Sequence, residues 1–176
     1  MFEFKRMREE NLEMVLNWRL KPFVKHYLFT DVENNLEKQK NWFKKISTNP
    51  TYRYWVIFMS GIPIGLVNLA NLDFFNKRTN ASYYIGEEKF LQFGGVVLPY
   101  FYNHIFLELG INKVHGEVIE GNPILKIHLM HGYRLVGTMK DHVYKNDQLN
   151  NIHIVELMKD DWIKNKRFSS YIAKFE

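Results

Sequence analysis

Eight of the ten glycines in this 176-residue chain lie between Gly86 and Gly137. Glycine supplies the backbone freedom that sharp turns and close approach to the main chain require, so the decisive geometry of the fold belongs to that stretch. Before it the pattern is regular. Phe2 to Met7 alternate apolar and polar like a short strand, and Asn11 to Trp18 place apolar groups at helical spacing. Pro22 predicts an end or bend to that helix, and Asp31 or the Asn34-Asn35 pair can cap a second one from Leu36 to Ile46. Tyr52 to Met59 is aromatic and β-branched, Ser60-Gly61 is a turn, and Ile62 to Leu69 returns, which predicts a hairpin. The polar turn Asn76 to Asn80 leads into a third strand, Ala81 to Glu87.

Inside the glycine-rich stretch the period changes. A loop follows Glu87, then a helix from about Gly95 to Leu109 with Gly110 as its C-terminal cap. A strand from Lys113 to Glu120, a Gly121-Asn122 turn and a short helix from Ile124 to His131 complete a strand-helix-strand unit. Two more strands are predicted near Tyr133 to Tyr144 and Asn151 to Met158. A meander followed by one such unit predicts an α+β fold. Its mixed central sheet would have about six or seven strands, an antiparallel meander plus one parallel pair, flanked by about four helices. With no linker or repeat in view, residues 1–176 are expected to form a single domain.

Charge narrows the partners. The chain carries a net +5, but residues 1–50 hold ten Lys/Arg against seven Asp/Glu, while residues 51–158 balance at nine of each. No basic stripe runs through it, so a nucleic-acid partner is not expected. The absence of cysteine excludes disulfide scaffolds, thiolate metal sites and a cysteinyl-acyl intermediate. A charged N-terminus and the lack of any run of about 18 apolar residues argue against a secretory signal or a membrane span, so a cytoplasmic protein is expected.

The sharpest motif is Phe90-Leu91-Gln92-Phe93-Gly94-Gly95-Val96-Val97, a loop that leaves a strand and opens a helix. Unpaired N–H groups and the macrodipole at such a helix start suit a pyrophosphate, although Gly-Gly also serves as a plain turn. The spacing matches neither GxGxxG nor GxxxxGK[ST], which disfavours a dinucleotide-dependent dehydrogenase or a P-loop kinase.

Taken together, these features resemble the GNAT family of acetyl-CoA-dependent N-acetyltransferases. The resemblance rests on Trp18-Arg19 with Pro22, Asn41-Trp42-Phe43, Pro63-Ile64-Gly65, Tyr84-Ile85-Gly86, Gln92 to Val97, and Gly121-Asn122 to Gly132-Tyr133. Within the family the chain looks most like the branch that acetylates nucleotide-linked 4-amino-4,6-dideoxy sugars, as in pseudaminic acid biosynthesis. Polyamine and ribosomal-protein N-terminal acetyltransferases are the alternatives, and a catalytically idle CoA-binding module is a third.

The resemblance implies direct attack of a primary amine on acetyl-CoA in a ternary complex. The N–H groups of Gln92, Phe93, Gly94, Gly95, Val96 and Val97 would cradle the CoA pyrophosphate. Tyr84, Ile85 and Gly86 would pair with pantetheine, with Asn122 and Ile127 completing the cofactor site. The Ile85 N–H, at a bulge, would polarise the thioester carbonyl. His128, four residues before Gly132, stands where the family often has a tyrosine that protonates the thiolate. Glu87 or Glu88 would take the amine proton, while Trp18, Arg19, Asn71 and Tyr83 would meet the acceptor, with His142 and Tyr144 as weaker candidates. Two departures stand out: Val97 replaces the usual Gly or Ala, and Pro99 falls early in the helix. His128 and His131 form an H-x-x-H pair, but a third ligand is lacking, so no metal is expected. A homodimer through exposed edge strands is also expected.

Overall fold

The computed structural model describes residues 2–176, which form one seven-stranded sheet. Its strands are β1 (Phe2–Arg6), β2 (Arg53–Met59), β3 (Ile62–Asp73), β4 (Arg78–Ile85), β5 (Lys113–Ile119), β6 (Arg134–Lys145) and β7 (Gln148–Met158), in the order β1-β2-β3-β4-β5-β7-β6. Every neighbouring pair is antiparallel except β4 with β5. That parallel pair needs a crossover, which the helical segment between residues 88 and 108 supplies. The expected meander and single parallel pair are therefore present.

Among the described residues, six α-helices flank the sheet: α1 (Leu12–Leu20), α2 (Pro22–Lys25), α3 (Leu36–Ser47), α4 (Gly94–Asn103), α5 (Ile124–Met130) and α6 (Lys159–Lys164). The sequence pattern predicts about four. The additional α2 and α6 have four and six residues, too short to display a helical period. Pro22 opens α2 rather than only ending α1, since the first helical position has no acceptor to lose. Asn35 caps α3 by accepting from the Lys38 N–H at 3.0 Å.

Alternation along β2 divides the interior. Trp55 and Ile57 point into the larger core with Phe101, Ile105 and Val114, while Val56 joins Leu12, Val15, Trp18 and Leu66 under α1 and α3. Gly65 is required where these layers meet, because a methyl group there would overlap the Tyr84 carbonyl across the β3–β4 ladder.

The predicted Gly95–Leu109 helix is composite. A 3₁₀ segment (Glu88–Phe93) leads into α4, and a π turn (His104–Glu108) ends it, with the Leu109 N–H donating to the His104 carbonyl. Pro99 has no N–H to offer the Gly95 carbonyl four residues back. The Pro99 ring is itself buried on the inner face of α4, so the residue contributes packing where it forgoes a hydrogen bond.

At the far edge, β6 and β7 form an arm whose Asn146-Asp147 turn has positive φ at both residues, the geometry of a tight hairpin. The Lys145 ammonium reaches Asp31 at 2.5 Å, and Asn146 donates to the His26 carbonyl at 3.3 Å. The arm thereby holds the segment between α2 and α3 in place.

Candidate active site

β4 and β5 pair only from Arg78↔Lys113 to Asn80↔His115 and then separate. The β3–β4 register determines what faces the gap. Gly86 and Glu87 both donate to the Ile64 carbonyl, at 2.8 and 3.3 Å. This makes Gly65↔Ile85 a non-hydrogen-bonded pair, so the Ile85 N–H points away from β3, and so does the Tyr83 N–H two residues earlier. Both donors face the gap that β5 vacates. The irregularity expected at Ile85 lies just beyond it, where Gly86 and Glu87 share one acceptor; the shift within the β3–β4 ladder is remote, between Ala70 and Asp73.

The N-terminus of α4 adjoins this gap. Gly94 lies against the Tyr83 hydroxyl: a methyl group placed there would come within 3.2 Å of it. A methyl at Gly95 would meet Ile127 of α5 at 3.6 Å. The small residues thus keep the first turn of α4 close to both β4 and α5, with its N–H groups directed toward the strand end. Gln92 and Val96 are exposed, and Phe93 packs on Phe2. The Val97 side chain is wholly buried in the core, which accounts for an apolar residue there. The Asn122 side chain accepts the Ile124 N–H at 3.0 Å and so steadies the entry to α5.

His128 lies on α5 with Nδ1 3.2 Å from the Tyr102 hydroxyl and its ring 4.6 Å from that of Tyr133. Burial, with the neighbouring His131, lowers the His128 pKa to about 4. At neutral pH the ring is uncharged, so the proton donor expected at His128 is a neutral imidazole. His131 is buried among Tyr102, Trp162 and Phe168. No cluster of three or more His, Asp or Glu able to hold a metal occurs among the described residues.

On the other face of β4, a cleft of about 530 Å³ opens between the sheet and the α1, α3 and 28–35 segments. Trp42, Tyr54 and Tyr84 give it an aromatic wall, the β4 strand at Tyr83 borders it, and Asn68 and Ser82 line its floor, where the serine hydroxyl donates to Asn68 at 2.6 Å. Arg19 enters this cleft and donates to Thr30 Oγ1 at 2.9 Å. Among the described residues, Arg19 forms no ion pair with a carboxylate. Burial raises the Tyr54 phenol to about 12 and also raises Tyr84, each against the opposing pull of Arg19. Guanidinium and phenols therefore share one space. The two acidic residues of the cleft are already engaged: Asp31 by Lys145 at 2.5 Å and Lys25 at 3.7 Å, and Glu33 by Lys38 at 2.5 Å.

Several expected roles are corrected by this geometry. Trp18 is 2 % exposed, and its indole N–H donates to Glu87 Oε1 at 2.7 Å, so it cannot lie against an acceptor. Lys21 binds the other Glu87 oxygen at 3.1 Å and the Gly86 carbonyl at 2.8 Å. The Trp18 hydrogen bond, reinforced by Lys21, holds Glu87 below its ordinary range. Glu87 is a structural clasp between the end of α1 and the end of β4, and is poorly suited to take a proton; Glu88 is exposed beside it. Asn71 bonds Asn80 on a different surface, beside Asp73 and Phe74. His142 and Tyr144 are exposed on β6. Sequence reasoning missed Tyr102, Tyr54 and Lys21. The spacing of Tyr54 from Val56 and Phe58, one face of β2, was the available signal for Tyr54.

The chain matches the family model described as acetyltransferase (GNAT) domain over residues 2–125. Among solved structures, it is similar to spermidine N-acetyltransferase from Vibrio cholerae in complex with CoA and spermine, with a TM-score of 0.84 and 14% identity over 92% of this chain and 98% of that one. A dodecameric structure of spermidine N-acetyltransferase from Vibrio cholerae, in an intermediate state, matches with a TM-score of 0.80 and 14% identity over 94% and 98% of the two chains. At this identity the likeness is one of fold. Neither match speaks for the nucleotide-sugar branch. No described helix is long and apolar enough to cross a membrane.

Proposed function

The chain belongs to the acetyltransferase (GNAT) family, and from that premise we propose that this acetyl-CoA-dependent N-acetyltransferase acts on a primary amine that also carries phosphate, of the nucleotide-linked amino-sugar class. The observation that carries the proposal is the state of charge in the cleft. Arg19 is available beside two phenols, whereas Asp31 and Glu33 are each held by lysine. A guanidinium and phenol hydroxyls suit phosphate oxygens, and aromatic walls suit a sugar or base ring.

On this reading acetyl-CoA lies in the β4–β5 gap, with its pyrophosphate at the first turn of α4 and its thioester near the Tyr83 and Ile85 N–H groups. These donors would stabilise the oxygen as it gains charge. The amine would approach from the cleft around Tyr83, a residue common to both spaces. The reading of residues 1–176 as one domain is part of this proposal and is supported by β6 and β7, which lie beyond the family match and join the same sheet. A homodimer through the exposed part of β6, including Leu135 and Val136, belongs to the same proposal and is checked by light scattering.

A polyamine acceptor is the second reading, favoured by the spermidine acetyltransferases among the similar structures. A polycation would have to draw Asp31 or Glu33 away from lysine, a cost the phosphorylated acceptor does not meet. Thiol release from acetyl-CoA, measured across nucleotide-linked amino sugars, spermidine, spermine and peptide N-termini, separates these readings. Turnover confined to the phosphorylated amines is expected. Preferential turnover of spermidine would replace the proposal with the second reading, and CoA binding without turnover of any amine would point to an idle module.

A further inference from the structure

Tyr102 lies on α4, 1 % exposed, with its hydroxyl 3.2 Å from His128 Nδ1. Its ring centroid is 5.6 Å from that of Tyr133, which in turn lies 4.6 Å from the His128 ring at an interplanar angle of 39°. The imidazole therefore meets a phenol at one nitrogen and lies beside a second, tilted aromatic ring. Burial, together with the adjoining Tyr133 and Tyr83 phenols, keeps the Tyr102 proton on oxygen well beyond the ordinary range. A neutral imidazole carries one N–H, and the nitrogen that faces a hydroxyl donor accepts, leaving the proton on the other nitrogen.

We propose that Tyr102 is a positioning residue whose hydroxyl bond to Nδ1 fixes His128 as the Nε2–H tautomer, with that N–H available to the departing CoA sulfur. The inference rests on the reading that places the thioester in the β4–β5 gap near the Ile85 N–H. In the step it serves, the amine nitrogen attacks the thioester carbon, a C–N bond forms and the C–S bond breaks. The nitrogen releases one proton to water, and the sulfur leaves as thiolate under a hydrogen bond from Nε2–H before taking one proton from water. The products are the amide and the CoA thiol. His128 returns unchanged, as a ring buried in its neutral form requires.

The test is a long-range proton–nitrogen correlation spectrum of the full chain, labelled with ¹⁵N-histidine, at pH 7. Wild-type His128 is expected as Nε2–H. In Tyr102→Phe the tautomer is expected to become mixed, with kcat lower by about tenfold and the KM for acetyl-CoA within about twofold of wild type. If Tyr102 served only to fill space, its loss would leave the tautomer unmoved. An Nδ1–H signal in the wild type, or an unaltered tautomer in Tyr102→Phe, overturns the inference. A shifted tautomer with undiminished kcat would instead overturn the placement of His128 beside the thioester, and its catalytic use with it. Should Tyr102→Phe fail to fold, the wild-type spectrum decides.

Discussion

The two sides of β4 present different chemistry. Toward β5 the strand offers main-chain N–H groups in a gap closed by a glycine-led helix, and almost any sequence with that path could offer the same donors. Toward α1 and α3 it borders a cleft of chosen side chains, its own Ser82 and Tyr84 together with Arg19, Tyr54 and Asn68 from neighbouring elements. An unvarying cosubstrate can be met by backbone geometry, whereas a particular acceptor must be recognised by residue identity. The contrast between these halves orders the expected perturbations.

The largest effect should come from acid, and on the β5 side. His128 and His131 are each lowered from 6.5 to about 4 by burial. A base with a depressed folded pKa contributes fully above the unfolded value and loses that contribution as pH falls toward the folded one, because the unfolded chain takes up the proton first. The full displacement corresponds to about 3 kcal/mol for His128, and because the two rings repel each other when charged their contributions are shared rather than simply added. Urea denaturation should therefore show stability falling from pH 7 to pH 5, before the cleft carboxylate Asp31, lowered by its Lys145 bond, begins to contribute. A flat profile over that range would remove the distinction.

Gly86→Ala probes the clasp that joins the halves. Its methyl would overlap the Trp18 ring and disturb the bond to Glu87, so thermal or urea unfolding should show a loss of about 2–3 kcal/mol. Val96→Glu sharpens the cofactor side. Val96 is 42 % exposed in the first turn of α4, where a carboxylate favours the helix dipole yet repels pyrophosphate. Calorimetry should show CoA binding weakened by about tenfold while the melting temperature is unchanged or higher. Glu87→Gln should have the smallest effect. It weakens a half-exposed pair with Lys21, costing about 1 kcal/mol or less, and steady-state kinetics should keep kcat near wild type. A hundredfold fall in kcat would restore Glu87 as the proton acceptor.

The same contrast explains what was legible in the sequence. The meander, the parallel pair and the helix opening near Gly95 followed from glycine placement and periodicity, because they are properties of the main chain, whereas the order β5-β7-β6 was not legible. Side-chain partnerships joining distant segments did not. Trp18 and Glu87 are 69 positions apart, Tyr102 and His128 are 26 apart, and Lys145 meets Asp31 across 114. Trp18 suggested an acceptor-facing indole only while its burial was unknown, and the bond from the Ile124 N–H to Asn122 became visible only in the fold. Val97 and Pro99 likewise proved to be buried residues of α4.

Arg19→Ala, compared with wild type on a phosphorylated amine and on spermidine, tests the division most directly. Loss of a charge-assisted contact of about 1.5–3 kcal/mol predicts that KM for the phosphorylated acceptor rises by roughly 10- to 100-fold, with KM for acetyl-CoA unchanged and spermidine a poor substrate for both proteins. An unchanged acceptor KM, or spermidine turned over efficiently and independently of Arg19, would contradict the account.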